Sequence, residues 1–201
     1  MNFEFVKGPV HSRYWFLTDD SAELLQFQPD RFTQNWRKVA SVGRPYPRFE
    51  AMIERFFADF DKLAGLANSK GWGVITPNQC EVSYINHLPA SDESGQAIPV
   101  ENYISSLRTT GLRLEDVRCA LRKEIKNDSG EAIGRYVVEI ASAWDADGAS
   151  IYRLAIVARG APPDLRSDGC RAFMESARVG IAEIFLEITT KEAQEQWGRV
   201  A

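Results

Sequence analysis

Two stretches of the chain hold residue types that could do chemistry. Between Asp30 and Glu50, Arg31, Arg37, Lys38, Arg44 and Arg48 place five positive charges with no acid among them, and Asn35, Trp36 and Tyr46 are interleaved. Cations in such a run can contact phosphates while aromatic rings stack on bases, which makes the strip a candidate nucleic-acid surface. The competing account is a solvated strand edge whose arginines pair with acids elsewhere. The second stretch is Pro77–His87. Asn78, Asn86 and His87 offer amide and imidazole groups to a polar ligand, and Glu81 shares a strand face with His87. Imidazole titrates near neutrality and can act as a base. Cys80 alternates onto the face opposite His87, so the two make a poor nucleophilic pair. The plainer account has Asn78 and Asn86 bonding backbone at strand ends, with His87 solvated. The candidate ligand-binding residues are therefore Arg31, Asn35, Trp36, Arg37, Arg48, Asn78, Asn86 and His87.

Other familiar chemistries lack their residues. No GxxxxGK[ST] or GxGxxG occurs, and Gly71-Trp72-Gly73 is too short to cradle a phosphate; it suits a tight turn. Asp19/Asp20 and Asp145/Asp147 sit in expected turns, where Asp is favoured for local reasons. With His11 and His87 as the only histidines and no CxxC, neither a zinc site nor any other cofactor is expected.

The elements that must position these residues follow from periodicity. Residues 13–28 form a hairpin, with the strand formers Tyr14, Trp15, Phe16 and Leu17 turning at Asp19-Asp20-Ser21 into Glu23–Gln28. Pro29-Asp30 interrupts the second strand as a bulge or edge position would, and a resumed strand carrying Phe32 and Trp36 is preferred to a short helix. Pro47 suits the first turn of a helix. From there Phe49, Met52, Ile53, Phe56, Phe60, Leu63, Ala64 and Ala67 make a helical stripe that ends at Asn68–Gly71. Residues 79–88 alternate as a half-buried strand, with Asn86 breaking the apolar face. Residues 89–111 lack periodicity and read as a surface connection with at most one short helix near Asn102–Leu107. Residues 112–125, 133–144 and 150–159 alternate as an antiparallel meander joined by turns at Asn127–Gly130 and Asp145–Gly148. A second amphipathic helix follows over Cys170–Thr189, and Thr189-x-x-Glu192 could cap a last short helix carrying Trp197.

Strands followed by one long helix, twice over, imply an α+β fold: a mainly antiparallel sheet packed against two long amphipathic helices. A single domain over 1–201 with one continuous sheet is preferred; subdomains 1–90 and 110–201 joined by a loop at 89–111 are the alternative. The 201 residues suffice for a core without metals or disulfides. Charged residues at 26% and hydrophobic ones at 44% exclude a disordered or fibrous chain. The net charge of −4 argues against bulk attraction to nucleic acid or to anionic membrane. The first residues lack the basic and apolar regions of a signal peptide, no stretch approaches a membrane span, and the three scattered cysteines suit a reducing compartment. A cytoplasmic location is expected.

Four blocks carry a resemblance: Arg13-Tyr-Trp-Phe-Leu-Thr; Leu25-Gln-Phe-Gln-Pro-Asp-Arg-Phe-Thr-Gln-Asn-Trp-Arg-Lys; Tyr46-Pro-Arg-Phe-Glu; and Pro77-Asn-Gln-Cys-Glu-Val-Ser-Tyr-Ile-Asn-His. In this order they closely resemble a sporadically distributed, uncharacterised prokaryotic protein family whose members carry the same blocks. The resemblance covers residues 13–88 and, more loosely, 177–197. It implies no activity and no catalytic residues. Family members usually have a longer N-terminal region, a strand and a helix, before the Trp-Phe-Leu block, whereas twelve residues precede Arg13 here. A shortened member or a piece of a longer chain is expected to leave the edge of its first sheet open.

These observations lead to a non-catalytic binding or assembly module for a protein partner or for itself, as a homodimer. The alternatives are nucleic-acid contact through Arg31–Arg48, and a small-molecule binder or cryptic enzyme near Asn86 and His87.

Overall fold

The computed structural model describes residues 13–39, 41, 43, 45–107, 114–162 and 164–198. Arg44 and the first residues of the expected strand at 112–125 lie outside them. The fold is α+β with antiparallel sheets. The chain divides into two compact units, residues 1–75 and 76–201. Among the described residues seven strands form two sheets, of three and four strands. That corrects the expected single sheet: each long helix has its own layer of strands, because among the described residues the strands within 14–36 bond only to one another, while Cys80–Pro89 bonds to Ser150–Gly160. The stretch 89–111 lies within the second unit rather than between the two.

In the first unit, β1 (Tyr14–Leu17), β2 (Glu23–Gln28) and β3 (Arg31–Trp36) form an antiparallel meander. Pro29-Asp30 is not a bulge in one strand but the two-residue turn between β2 and β3, with Gln28 paired to Arg31. Proline presets the φ that such a turn requires, and the chain reverses there. Helix α1 (Phe49–Ser69) begins after Arg48, which has a φ of 65°, so Pro47 lies just outside the helix rather than in its first turn. Gly71, with a φ of 70°, ends it, since only glycine takes that conformation without strain. The helix lies on one face of the sheet. Phe32 of β3 meets Phe56 and Phe60 at ring-centroid distances of 5.2 and 5.8 Å. Phe57, which lay outside the expected stripe, is the most deeply buried residue of α1, and its ring contacts Phe56 edge-on.

In the second unit, β4 (Cys80–Pro89), β5 (Arg118–Lys126), β6 (Ala132–Trp144) and β7 (Ser150–Gly160) take the order β4-β7-β6-β5. The turns at Asn127–Gly130 and Asp145–Gly148 form as expected, each held by an Asn or Asp side chain accepting from backbone N–H groups. Helix α2 (Ser167–Ile188) packs on one sheet face and buries Cys170, Phe173, Ala177, Ile181, Ile184 and Ile188. The connection after β4 is anchored rather than superficial. Val100, Tyr103 and Ile104 are buried, and Ile104 forms a β-bridge with Thr189. The last helix, α3 (Lys191–Gln196), is capped by Thr190 rather than Thr189. Thr189 instead donates its hydroxyl to the Phe185 carbonyl at 2.6 Å. Trp197 stacks on Tyr103 and meets Phe185.

Candidate functional site

A continuous run of exposed apolar residues lies along β1 in the hairpin β1–β2. Thr18 anchors its turn, donating from its N–H to the Glu23 carbonyl at 3.1 Å, and Asp20 accepts from the Ala22 N–H at 3.0 Å. Tyr14 stacks on Phe27 at 6.4 Å across the pair. Side chains alternate, so Tyr14 and Phe16 share the α1 side of the sheet with Phe27 and Phe32, while Trp15 and Leu17 lie on the other. A helix is roughly 10 Å wide and covers about two strands at 4.8 Å spacing, and α1 sits over β3. β1 is therefore left over, which uncovers Tyr14 and Phe16, while Trp15 and Leu17 lie on the face that α1 does not touch. Tyr14, Trp15, Phe16 and Leu17 keep 54, 57, 61 and 50% of their surface exposed. Among the described residues no strand lies beyond β1.

The cationic strip does not form one surface. Arg31 and Asn35 point from β3 away from α1, whereas Trp36 points toward it and meets Tyr46 edge-on at 5.1 Å. Arg37 lies past the strand and donates Nε to the Ser21 carbonyl at 3.0 Å, which makes it a clamp on the first turn. Arg48 precedes α1 and is exposed. Arg31, Lys38 and Arg48 are all exposed. The second candidate set is also divided. Asn86 is half-buried on the α2 side of β4, His87 is exposed on the opposite face beside Arg153 of β7, and Asn78 is exposed before the strand. The nearest same-face neighbours of His87 are Ile85, Pro89, Ile151, Arg153 and Ala155; Arg153 faces Glu139 at 3.7 Å, and Glu81, six residues away, bonds Arg159 at 2.6 Å. A shallow cleft of about 310 Å3 lies elsewhere, between Ser105 and the Thr189–Glu192 corner.

Two groupings were not visible in the sequence. Glu23 of β2 is buried and bonds Nη1 of Arg55 in α1 at 3.2 Å. Beside it Gln34 Oε1, Trp36 Nε1 and the remaining Arg55 donors Nε and Nη2 are buried without hydrogen-bond partners. This cluster contains no nucleophile, and it fixes α1 on the sheet. In the second unit the Cys80 thiol donates to Cys170, whose own thiol donates to the Leu165 carbonyl at 3.6 Å. Burial, and then Cys170 beside it, push the Cys80 thiol up to about 12, so it stays protonated and unreactive. Among the described residues no three His, Cys, Asp or Glu side chains are placed to hold a metal ion. No described helix is long and apolar enough to cross a membrane.

Sequence reasoning did not single out Tyr14–Leu17 as a site. The available signal was an unbroken apolar run where a half-buried edge strand would alternate with polar residues. Comparison with protein-family models, with curated proteins and with solved structures found no match to this chain.

Proposed function

We propose that this protein is a non-catalytic binding and assembly module that lends the edge of its three-stranded sheet to another polypeptide. The observation that carries this reading is β1, an edge strand of four large apolar residues, each at least half exposed. Exposed edges invite pairing, and chains that must stay single guard them with charge or proline. The edges of the second sheet are guarded in that way. β5 carries Arg118, Arg122, Lys123, Glu124 and Lys126, and β4 carries Glu81, His87 and Pro89. β1 has no charge at all. In strand addition the main-chain hydrogen bonds supply affinity and alternate side chains supply selectivity. Here Trp15 and Leu17 would read one side and Tyr14 and Phe16 the other.

The test is the size of the native complex. In size exclusion of concentrated lysate from cells making the chain, the wild type is expected to elute above monomer size. Phe16→Lys, which places a charge in the middle of the edge, is expected to elute as a monomer. Elution of both at monomer size would end the proposal.

A further inference from the structure

Resting on that strand-addition reading, we infer that the occupant of the β1 edge is a second copy of this chain, paired antiparallel about a two-fold axis at Phe16.

The phase of the ladder comes first. The Thr18 N–H bonds the Glu23 carbonyl, and in an antiparallel pair the bonded residues alternate. Tyr14 and Phe16 therefore turn their main-chain groups toward β2, while those of Trp15 and Leu17 point outward, free to bond a neighbour. Two such edges can bond each other only where outward residues meet. A two-fold at Phe16 pairs Trp15 with Leu17 of the other copy, and Leu17 with its Trp15. Both residues of each copy then bond, and the interface is isologous, as a closed dimer requires.

Charge selects the same arrangement. Arg13 precedes β1 and Asp19 follows Thr18, and both are exposed. Antiparallel pairing about Phe16 sets each Arg13 beside the Asp19 of the other copy, twice. Parallel pairing would set arginine against arginine and acid against acid. On the apolar side, Phe16 meets Phe16 and each Trp15 lies across from a Leu17, contacts of the kind that stabilise neighbouring strands. The result is one six-stranded sheet in the order β3-β2-β1-β1-β2-β3.

Area sets the strength. At about 150–250 Å2 for a buried aromatic side chain, the exposed portions of these four residues total roughly 400 Å2 per copy, or about 800 Å2 for the pair. That is at most about 800 Å2, below the roughly 1,200–2,000 Å2 of stable specific interfaces. The main-chain ladder and the charge pairs must add to it, and the dimer is weak and transient, forming only with rising concentration.

The full chain is purified and its sedimentation followed across concentration. A monomer–dimer equilibrium is expected, with Phe16→Lys monomeric throughout. Arg13→Asp should weaken the dimer about three- to tenfold, and adding Asp19→Arg should restore it, since exposed pairs contribute modestly and occur twice. Circular dichroism establishes that each variant folds. Independently of any variant, exchange of the Trp15 and Leu17 amides should slow as concentration rises, while that of Tyr14 and Phe16 should not change. A wild type that stays monomeric, or a dimer indifferent to both Phe16→Lys and the charge swap, overturns the inference. If Phe16→Lys still dissolves the complex in lysate, strand addition survives with a different occupant; if it does not, both proposals fall.

Discussion

The phenol of Tyr136 on β6 fills the space that a side chain at Gly180 of α2 would need. This contact brings the helix down onto the four-stranded sheet and buries Tyr136, Ala177 and Ile181 together. In an ordinary helix, replacing glycine by alanine gains about 1 kcal/mol. Here Gly180→Ala is expected to lose about 1–3 kcal/mol through overpacking. Urea unfolding of the single variant and of Gly180→Ala with Tyr136→Ala checks it. Once the phenol is gone the alanine should be neutral or stabilising, and additive losses would count against the contact.

The Glu23–Arg55 pair makes a contrast with a surface pair on the same helix. Glu23→Ala leaves a half-buried guanidinium with still fewer partners than it has now, for a loss of about 1–3 kcal/mol. Asp59→Ala breaks the exposed Asp59–Lys62 pair and should change stability by less than about 0.5 kcal/mol. Equal effects in chemical denaturation would show that the first pair is not desolvated as described.

Stability should fall on the alkaline side. The Cys80 thiol, raised by burial to about 12, stays protonated in the folded chain when an unfolded thiol would begin to ionise near its usual 9.0. The stabilisation is therefore complete below about pH 9 and is lost between 9 and 12, at up to about 1.4 kcal/mol per pH unit for one thiol. Buried Tyr103 and Tyr136 and half-buried Tyr152, also raised by desolvation, act with the same sign at higher pH. Melting curves from pH 7 to the alkaline limit of folding, for the wild type and Cys80→Ala, should show a shallower decline in the variant. In the folded protein a maleimide should label half-buried Cys119 well before Cys80 or Cys170. Early labelling of Cys80 would contradict its burial.

Thr190 ties three segments at one point. Its hydroxyl donates to the Asn102 carbonyl at 2.6 Å and accepts from the Ala193 N–H at 3.2 Å, and its N–H donates to the Tyr103 carbonyl at 2.9 Å. Thr190→Ala should lower stability by about 1–2 kcal/mol, and Thr190→Ser should retain most of it. Near-identical thermal midpoints for the two variants would remove the cap from the account.

Local chemistry was enough to read most of the elements. Period-two and helical patterns, with Asp-Asp-Ser, Asn-Asp-Ser-Gly and Asp-Ala-Asp-Gly as turns, place most strands and both long helices close to where they form, because those signals act over a few residues. β5 instead starts at Arg118, and Pro29-Asp30 is a turn where the local pattern suggests a bulge. Choices that depend on partners distant in sequence were not legible there. Whether β3 and β4 join one layer or two depends on which edges bond, and alternation says nothing about that. The same alternation sets Asn86 and His87 on opposite faces, and a run of arginines loses its unity once β3 directs alternate side chains to opposite sides. Burial of Val100 and Ile104 in an aperiodic stretch, the meeting of Cys80 with Cys170, and the leftover width of sheet that exposes Tyr14 and Phe16 all come from packing. They were decided only when helices of fixed diameter settled onto sheets of fixed spacing.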